Sequence, residues 1–224
     1  MQLQGKVINF LGDSITEGSG MQGCMHLRYH QVIKRDYGLK EANIYGIGGS
    51  RLAHQIRVSA KPRYDLCFAG RADTMDVDAD MVVVYGGVND YIHGDAPFGK
   101  DGDVTPDTFV GAVHYLMQFL KNTYKNKPIV FMTPARCYFK GVSCNEVSTY
   151  PCKKPDARPL LDYVRVIKET GKALDVPVLD LYNQLGIDPN IEEDYNQYTV
   201  DGLHFNQFGH AAIAKCLGAF LENL

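Results

Sequence analysis

Tryptophan is absent from the 224 residues, so 14 tyrosines and 10 phenylalanines must supply the aromatic bulk of any core. No apolar run approaches the ~18 residues that a bilayer-spanning helix needs, and no membrane is expected as a partner. A basic surplus is also lacking. Lys and Arg total 23 against 26 Asp and Glu, a formal net charge of −3. The electrostatic footprint of a nucleic-acid binder is therefore missing, and no nucleic-acid partner is expected. The 22 glycines and 10 prolines follow no G-X-Y period, which removes a collagen-like chain. The six cysteines (Cys24, Cys67, Cys137, Cys144, Cys152 and Cys216) contain no C-x-x-C pair. Cys137, Cys144 and Cys152 are too widely spaced for zinc ligands and read as loop thiols. Free thiols suit a reducing compartment. The run Val7-Ile8-Asn9-Phe10-Leu11 is too short for a signal-peptide core and has no small-residue cleavage site behind it. The expectation is a cytoplasmic protein.

What is present is an ordinary globular composition, 45% hydrophobic and 22% charged. The length suits a single domain over residues 1–224. Five short apolar runs read as strands: 7–11, 43–45, 81–85, 128–132 and 176–179. They carry little alternation, which suggests burial on both faces and a parallel sheet. Between them, Phe109, Val113, Leu116, Met117 and Leu120 recur at helical spacing, with Thr105 or Asp107 as candidate caps. Leu160, Val164, Ile167 and Leu174 mark a second helix. Ile213, Leu217, Phe220, Leu221 and Leu224 mark a C-terminal one. Strand–helix alternation predicts an α/β fold, a three-layer α/β/α sandwich. Two long irregular stretches, 91–104 and 135–158, are the candidate functional loops.

In an open α/β sheet, ligands bind beyond the carboxyl ends of the strands. Gly12-Asp13-Ser14 follows the first strand, Gly46-Ile47-Gly48-Gly49-Ser50 the second and Gly86-Gly87-Val88-Asn89-Asp90 the third. Asp201-Gly202-Leu203-His204 follows the fifth, near the C-terminus. Together they offer what acyl transfer needs. A serine on a tight strand-to-helix turn presents its hydroxyl beside free backbone N–H groups. A glycine turn lets a second N–H approach closely. Asn89 adds a side-chain donor. His204 can take the serine proton, and Asp201 can orient the imidazole.

These four blocks, in this order and spanning residues 12–204, resemble those of the SGNH hydrolases, the GDSL esterase/lipase family. The resemblance implies a flavodoxin-like sheet of about five parallel strands. It implies catalytic residues Ser14, Asp201 and His204, and an oxyanion hole from Ser14 N–H, Gly49 N–H and Asn89. Gly48 competes with Gly49, and the family's block favours Gly49. It also implies no metal and no cofactor. The expected activity is hydrolysis of small or medium acyl esters, the partner being a small-molecule ester. The aromatic and polar residues of the long loops lean towards an acetylated carbohydrate. The rival readings are an acyltransferase with the same groups and a ligand-binding module without turnover. The oligomeric state is not legible.

Other residues compete for roles. His210 falls within the C-terminal helix pattern and reads as a packing or surface residue. His26 and His30, at i and i+4, read as a solvated helix face. His93 and Tyr91, just beyond Asn89, are candidate substrate contacts. Arg71 and Arg136 read as scaffold ion pairs, and Asp90 as structural.

Overall fold

The computed structural model describes residues 2–224. Its strands are β1 (Val7–Gly12), β2 (Glu41–Gly46), β3 (Met81–Tyr85), β4 (Ile129–Met132), β5 (Tyr138–Phe139), β6 (Val142–Ser143) and β7 (Val178–Leu179). Its helices are α1 (Ser14–Glu17), α2 (Tyr29–Asp36), α3 (Phe68–Arg71), α4 (Val88–Ile92), α5 (Phe109–Thr123), α6 (Leu160–Ala173), α7 (Leu181–Gln184), α8 (Glu192–Tyr198) and α9 (Gln207–Glu222). Five strands form one sheet in the order β2-β1-β3-β4-β7, with every pair parallel. The expected three-layer sandwich is present. The chain leaves β1 for β2 on one side and returns to β3 on the other, so the switch point lies at the carboxyl end of β1.

β3 shows why its run of Met81, Val82, Val83, Val84 and Tyr85 needs no polar alternation. Val82 and Val84 face a core shared with α4, α5 and α6, where Val88, Phe109, Val113, Leu116, Leu160 and Val164 pack. Met81, Val83 and Tyr85 face a second core with Tyr29, Ile33, Ile213, Leu217 and Leu221 of α2 and α9. Both faces are covered, so both registers must be apolar. β1 carries one exception, Asn9, which is fully buried. It accepts from Asn43 Nδ2 of β2 (3.0 Å) and donates to Asp76 O (2.7 Å) and Tyr124 Oη (3.1 Å), which offsets its desolvation.

Several local expectations are corrected. The fifth strand narrows to Val178–Leu179: Pro177 has no N–H to give, although its carbonyl accepts from Phe131 N at 3.0 Å. α5 is capped by Thr108, whose Oγ1 accepts from Gly111 N at 3.1 Å, and not by Thr105 or Asp107. His26 and His30 share no helix face. His26 lies in a separate 3-10 turn (Met25–Leu27), whereas His30 lies in α2, fully buried against Phe10 and Tyr29. Among the described residues Arg71 makes no ion pair. It caps strand ends by donating to the carbonyls of Tyr45 (2.6 Å) and Gly12 (2.7 Å), and it also bonds Leu66 O and Ser50 Oγ. Burial pulls its pKa down to about 10, which still leaves it charged at neutral pH. Arg136 does pair, with Asp188 at 3.3 Å.

The stretch 135–158 is not wholly irregular. It contains the antiparallel β5–β6 hairpin, turned by Lys140 and Gly141, both in the left-handed region. The hairpin buries Cys137 and Cys144, so these are core thiols and not loop thiols. Tyr138 N donates to Gly202 O at 3.0 Å, which ties the hairpin to the 201–204 segment. Among the described residues no helix is long and apolar enough to cross a membrane.

Candidate active site

β1 ends at Gly12, and the chain turns at once into α1. Asp13 caps that turn, its Oδ1 accepting from Ile15 N at 3.0 Å. Burial pushes the Asp13 carboxyl up to about 6, against the pull of the Ile15 N–H. α1 lies hard against the end of β2: a Cβ on Gly46 would stand 2.4 Å from Glu17 N, so only glycine fits there. This close approach places Ser14 beside the glycine turn that follows β2.

The 201–204 segment follows β7 in the chain, after α7 and α8, and it leads into α9. There His204 faces Ser14 across 190 residues of chain. Its Nε2 lies 3.0 Å from Ser14 Oγ, and its Nδ1 lies 2.8 Å from Asp201 Oδ2. The other Asp201 oxygen accepts from His204 N (2.8 Å) and Leu203 N (3.1 Å). Partial burial opposes ionisation of Asp201. The bonds from the His204 ring and from the His204 and Leu203 N–H groups outweigh it, holding the carboxyl below its usual range. An ionised Asp201 accepts only, so Nδ1 carries the proton and Nε2 offers its lone pair to the serine hydroxyl. His210, the competing histidine, is fully buried in α9. Its Nδ1 accepts from Tyr29 N at 3.2 Å, and its ring stacks on Tyr29, far from any role at Ser14.

The glycine turn separates the two candidate glycines. Gly48 N is engaged by Glu17 Oε2 at 2.7 Å. Gly49 adopts φ +75°, and its N–H donates to no acceptor among the described residues. Asn89, in the first turn of α4, is buried. One of its Nδ2 hydrogens goes to Ser50 O at 3.1 Å, and the other remains for the cleft it lines. Asp90 is structural: its carboxylate accepts from Leu52 N (2.9 Å) and Ala53 N (3.0 Å), and burial pushes its pKa up to about 6.

Ser14, Gly49, Asn89 and His204 line one cleft of about 430 Å³, with Tyr64, His93, Phe139, Lys140 and Tyr150 on its walls. An apolar side pocket of about 220 Å³ adjoins it, sharing Ile92, Phe139, Lys140 and Tyr150. Tyr91 belongs to that side pocket and not to the serine cleft. Its hydroxyl is committed to Ser143 O and Glu146 O. His93 reaches the cleft, but its Nε2 lies 2.9 Å from Asn89 Oδ1. Sequence reasoning passed over Glu17, which fixes the glycine turn through Gly48 N and pairs with Arg63. The available signal was an acidic residue three positions after Ser14, on the same short helix. Among the described residues, no group of three or more His, Cys, Asp or Glu side chains is arranged to hold a metal.

A comparison with curated proteins finds no match. Among solved structures, one is 30% identical with a TM-score of 0.87, covering 100% of this chain and 99% of that one. A protein from Lactobacillus plantarum is 31% identical with a TM-score of 0.81, covering 98% of each chain. A possible lipase from Chitinophaga pinensis is similar in fold, with 19% identity and a TM-score of 0.70, covering 97% of this chain and 98% of that one. The GDSL-like lipase/acylhydrolase family matches residues 10–212, a span that takes in all four motif blocks. The chain belongs to the GDSL-like lipase/acylhydrolase family.

Proposed function

We propose that the chain is a serine esterase acting on small or medium acyl esters through an acyl-enzyme. The observation that carries this reading is the continuous hydrogen-bonded path Asp201–His204–Ser14 opening into a cleft that also exposes the Gly49 turn and Asn89. Ser14 Oγ attacks the acyl carbon while its proton passes to His204 Nε2. Asp201 stabilises the imidazolium that results. The carbonyl electrons move onto oxygen, which accepts hydrogen bonds from Ser14 N–H, Gly49 N–H and the free Asn89 Nδ2 hydrogen. Collapse of the tetrahedral intermediate expels the alcohol, which takes the proton from His204. Water then repeats the sequence on the acyl-Ser14 ester, releasing the acid and restoring the hydroxyl.

The cleft supports the substrate class. Its walls mix aromatic rings with the charged groups of Lys140, Arg63 and Glu17, and the adjoining apolar pocket is small. Such walls suit a short acyl group on a polar alcohol, including a sugar, better than a long alkyl chain. The intact path from Asp201 to Ser14 speaks against a binding module without turnover. A fluorophosphonate probe tests the nucleophile: it is expected to label wild-type Ser14 and to leave Ser14→Ala unlabelled. A series of p-nitrophenyl esters with acetylated sugars alongside tests the substrate. Rates are expected to fall beyond medium chain lengths. Failure of the probe to label Ser14 would sink the hydrolase reading.

A further inference from the structure

Behind the cleft lies a second chain of hydrogen bonds, which ester hydrolysis as described does not use. His93 terminates α4, and its ring turns back over the same helix so that Nε2 meets Asn89 Oδ1 at 2.9 Å. On the far side of the ring, Arg51 Nη1 lies 3.5 Å from His93 Nδ1. The same Arg51 nitrogen donates to Gly49 O at 3.1 Å, and the guanidinium is anchored by Asp65 at 3.7 Å. Arg51 is nearly buried, so this arrangement is part of the packed interior of the site wall.

The chemistry of the partners assigns every proton. A guanidinium only donates, so the nitrogen facing it, Nδ1, must carry the lone pair. Nε2 then carries the hydrogen and donates to Asn89 Oδ1. The charged groups around the ring are Arg51, Lys153 and Lys140. Cys152 Sγ donates to the His93 carbonyl, and the Tyr150 ring lies 5.8 Å away. Burial, and then those cations, bring the His93 pKa down to about 4, so the ring is neutral at working pH.

We propose that His93 is a positioning residue for Asn89, donating to the amide oxygen so that the amide hydrogens face Ser50 and the cleft, and that Arg51 sets the tautomer that makes this possible. The proposal rests on the reading of Asn89 as an oxyanion donor. A hydrogen bond accepted by the amide oxygen draws charge from the nitrogen and makes its remaining hydrogen a stronger donor. It also prevents the amide from turning its oxygen towards a developing oxyanion. Arg51 braces both the side-chain donor, through His93, and the backbone turn of Gly49, through its carbonyl. One buried cation thereby aligns two donors from different strand ends.

A double-mutant cycle tests the proposal. His93→Leu removes the donor and is expected to lower kcat by about 3- to 10-fold, the worth of one hydrogen bond, with KM unchanged. His93→Gln places an amide N–H near the ring Nε2 position and is expected to recover most of that loss. In an Asn89→Ala background, His93→Leu is expected to cost less than about twofold, because its target is gone. A loss that multiplies fully with that of Asn89→Ala, or a KM that rises in both backgrounds, would mean that His93 contacts substrate and would overturn the proposal. If Asn89→Ala itself leaves kcat unchanged, the oxyanion reading fails instead, and the two failures are distinct. Should His93→Leu not fold, ¹⁵N NMR on the unaltered protein decides. The expected signature at pH 7 is a neutral His93 with the proton on Nε2. A proton on Nδ1, or a charged ring, would overturn the assignment.

Discussion

Under the proposed mechanism Ser14, Asp201 and Asn89 differ in what each supplies, and their variants are expected to differ accordingly. Ser14→Ala removes the atom that forms the covalent bond, and loss of such a nucleophile costs about 10⁶ in kcat in well-studied serine enzymes. Asp201 supplies orientation and charge, so Asp201→Ala is expected to cost less, about 10⁴, because the nucleophile and the hole survive it. Parallel turnover and melting measurements check the order, and equal losses would make Asp201 more central than its geometry indicates. In the proposed mechanism Asn89 touches charge that exists only in the transition state, so Asn89→Ala is expected to cut kcat by about 10²–10³ with little change in KM. Asn89→Asp should be at least as poor, since a carboxylate repels an oxyanion. An Asn89→Ala protein that loses only thermal stability would return Asn89 to the role of a turn residue.

At the scale of elements, the site depends on strand ends being held together where the sheet stops pairing. Arg71 of α3 does this by donating to the carbonyls of Gly12, the last residue of β1, and Tyr45, the last but one of β2. Arg71→Met is expected to remove the guanidinium bonds to the carbonyls of Gly12, Tyr45 and Leu66, the first of them buried, and to cost about 3 kcal/mol. For a chain of this size that is a fall in Tm of roughly 6–12 °C, readable by calorimetry. A shift below about 2 °C would mean that water replaces the guanidinium without loss. Gly46 works on the same contact from the opposite side. Gly46→Ala is expected to push α1 away from β2 and to lower activity along with stability, because α1 carries Ser14.

For the whole molecule, the second core has an electrostatic consequence. His210 is buried in α9 against Tyr29, and its Nε2 finds no partner among the described residues. Burial lowers its pKa to about 3, while an unfolded histidine titrates near 6.5. The unfolded chain therefore binds the proton first, and stability present above about pH 6.5 is lost as the pH falls. From this one group the loss between pH 7 and pH 5 is about 2 kcal/mol. His30, lowered to about 4 by burial, adds in the same direction. Asp13 and Asp90, raised to about 6, act in the opposite direction between about pH 6 and 4. Comparison of wild type with His210→Gln isolates the histidine. Denaturant unfolding at pH 7 and pH 5 is expected to show the wild type losing about 2 kcal/mol more than the variant. Equal losses would mean that His210 binds its proton as readily in the fold as in the unfolded chain.

The runs of β1, β3 and β4 were legible because strands buried on both faces write themselves as uninterrupted hydrophobic sequence, whereas the half-buried edge strand β2 showed only its short stretch at 43–45. The long helices α5, α6 and α9 were legible because their stripes repeat at helical spacing. The motif blocks around Ser14, Asn89 and His204 could be read because glycine, serine, asparagine and histidine at strand ends have few other joint uses. α2 escaped notice because tyrosine and histidine, which read as polar, lie on its buried face. The hairpin of β5 and β6 escaped because two-residue strands carry no period. The partners of single atoms were beyond any sequence reading. That Gly48 N answers to Glu17, that Arg71 serves strand-end carbonyls, and that Arg51 meets His93 are set by chain crossings between distant segments. Local residue patterns fix which backbone conformations are cheap. Which donor finds which acceptor is decided only when burial removes water as the alternative partner, and that happens in the assembled tertiary structure.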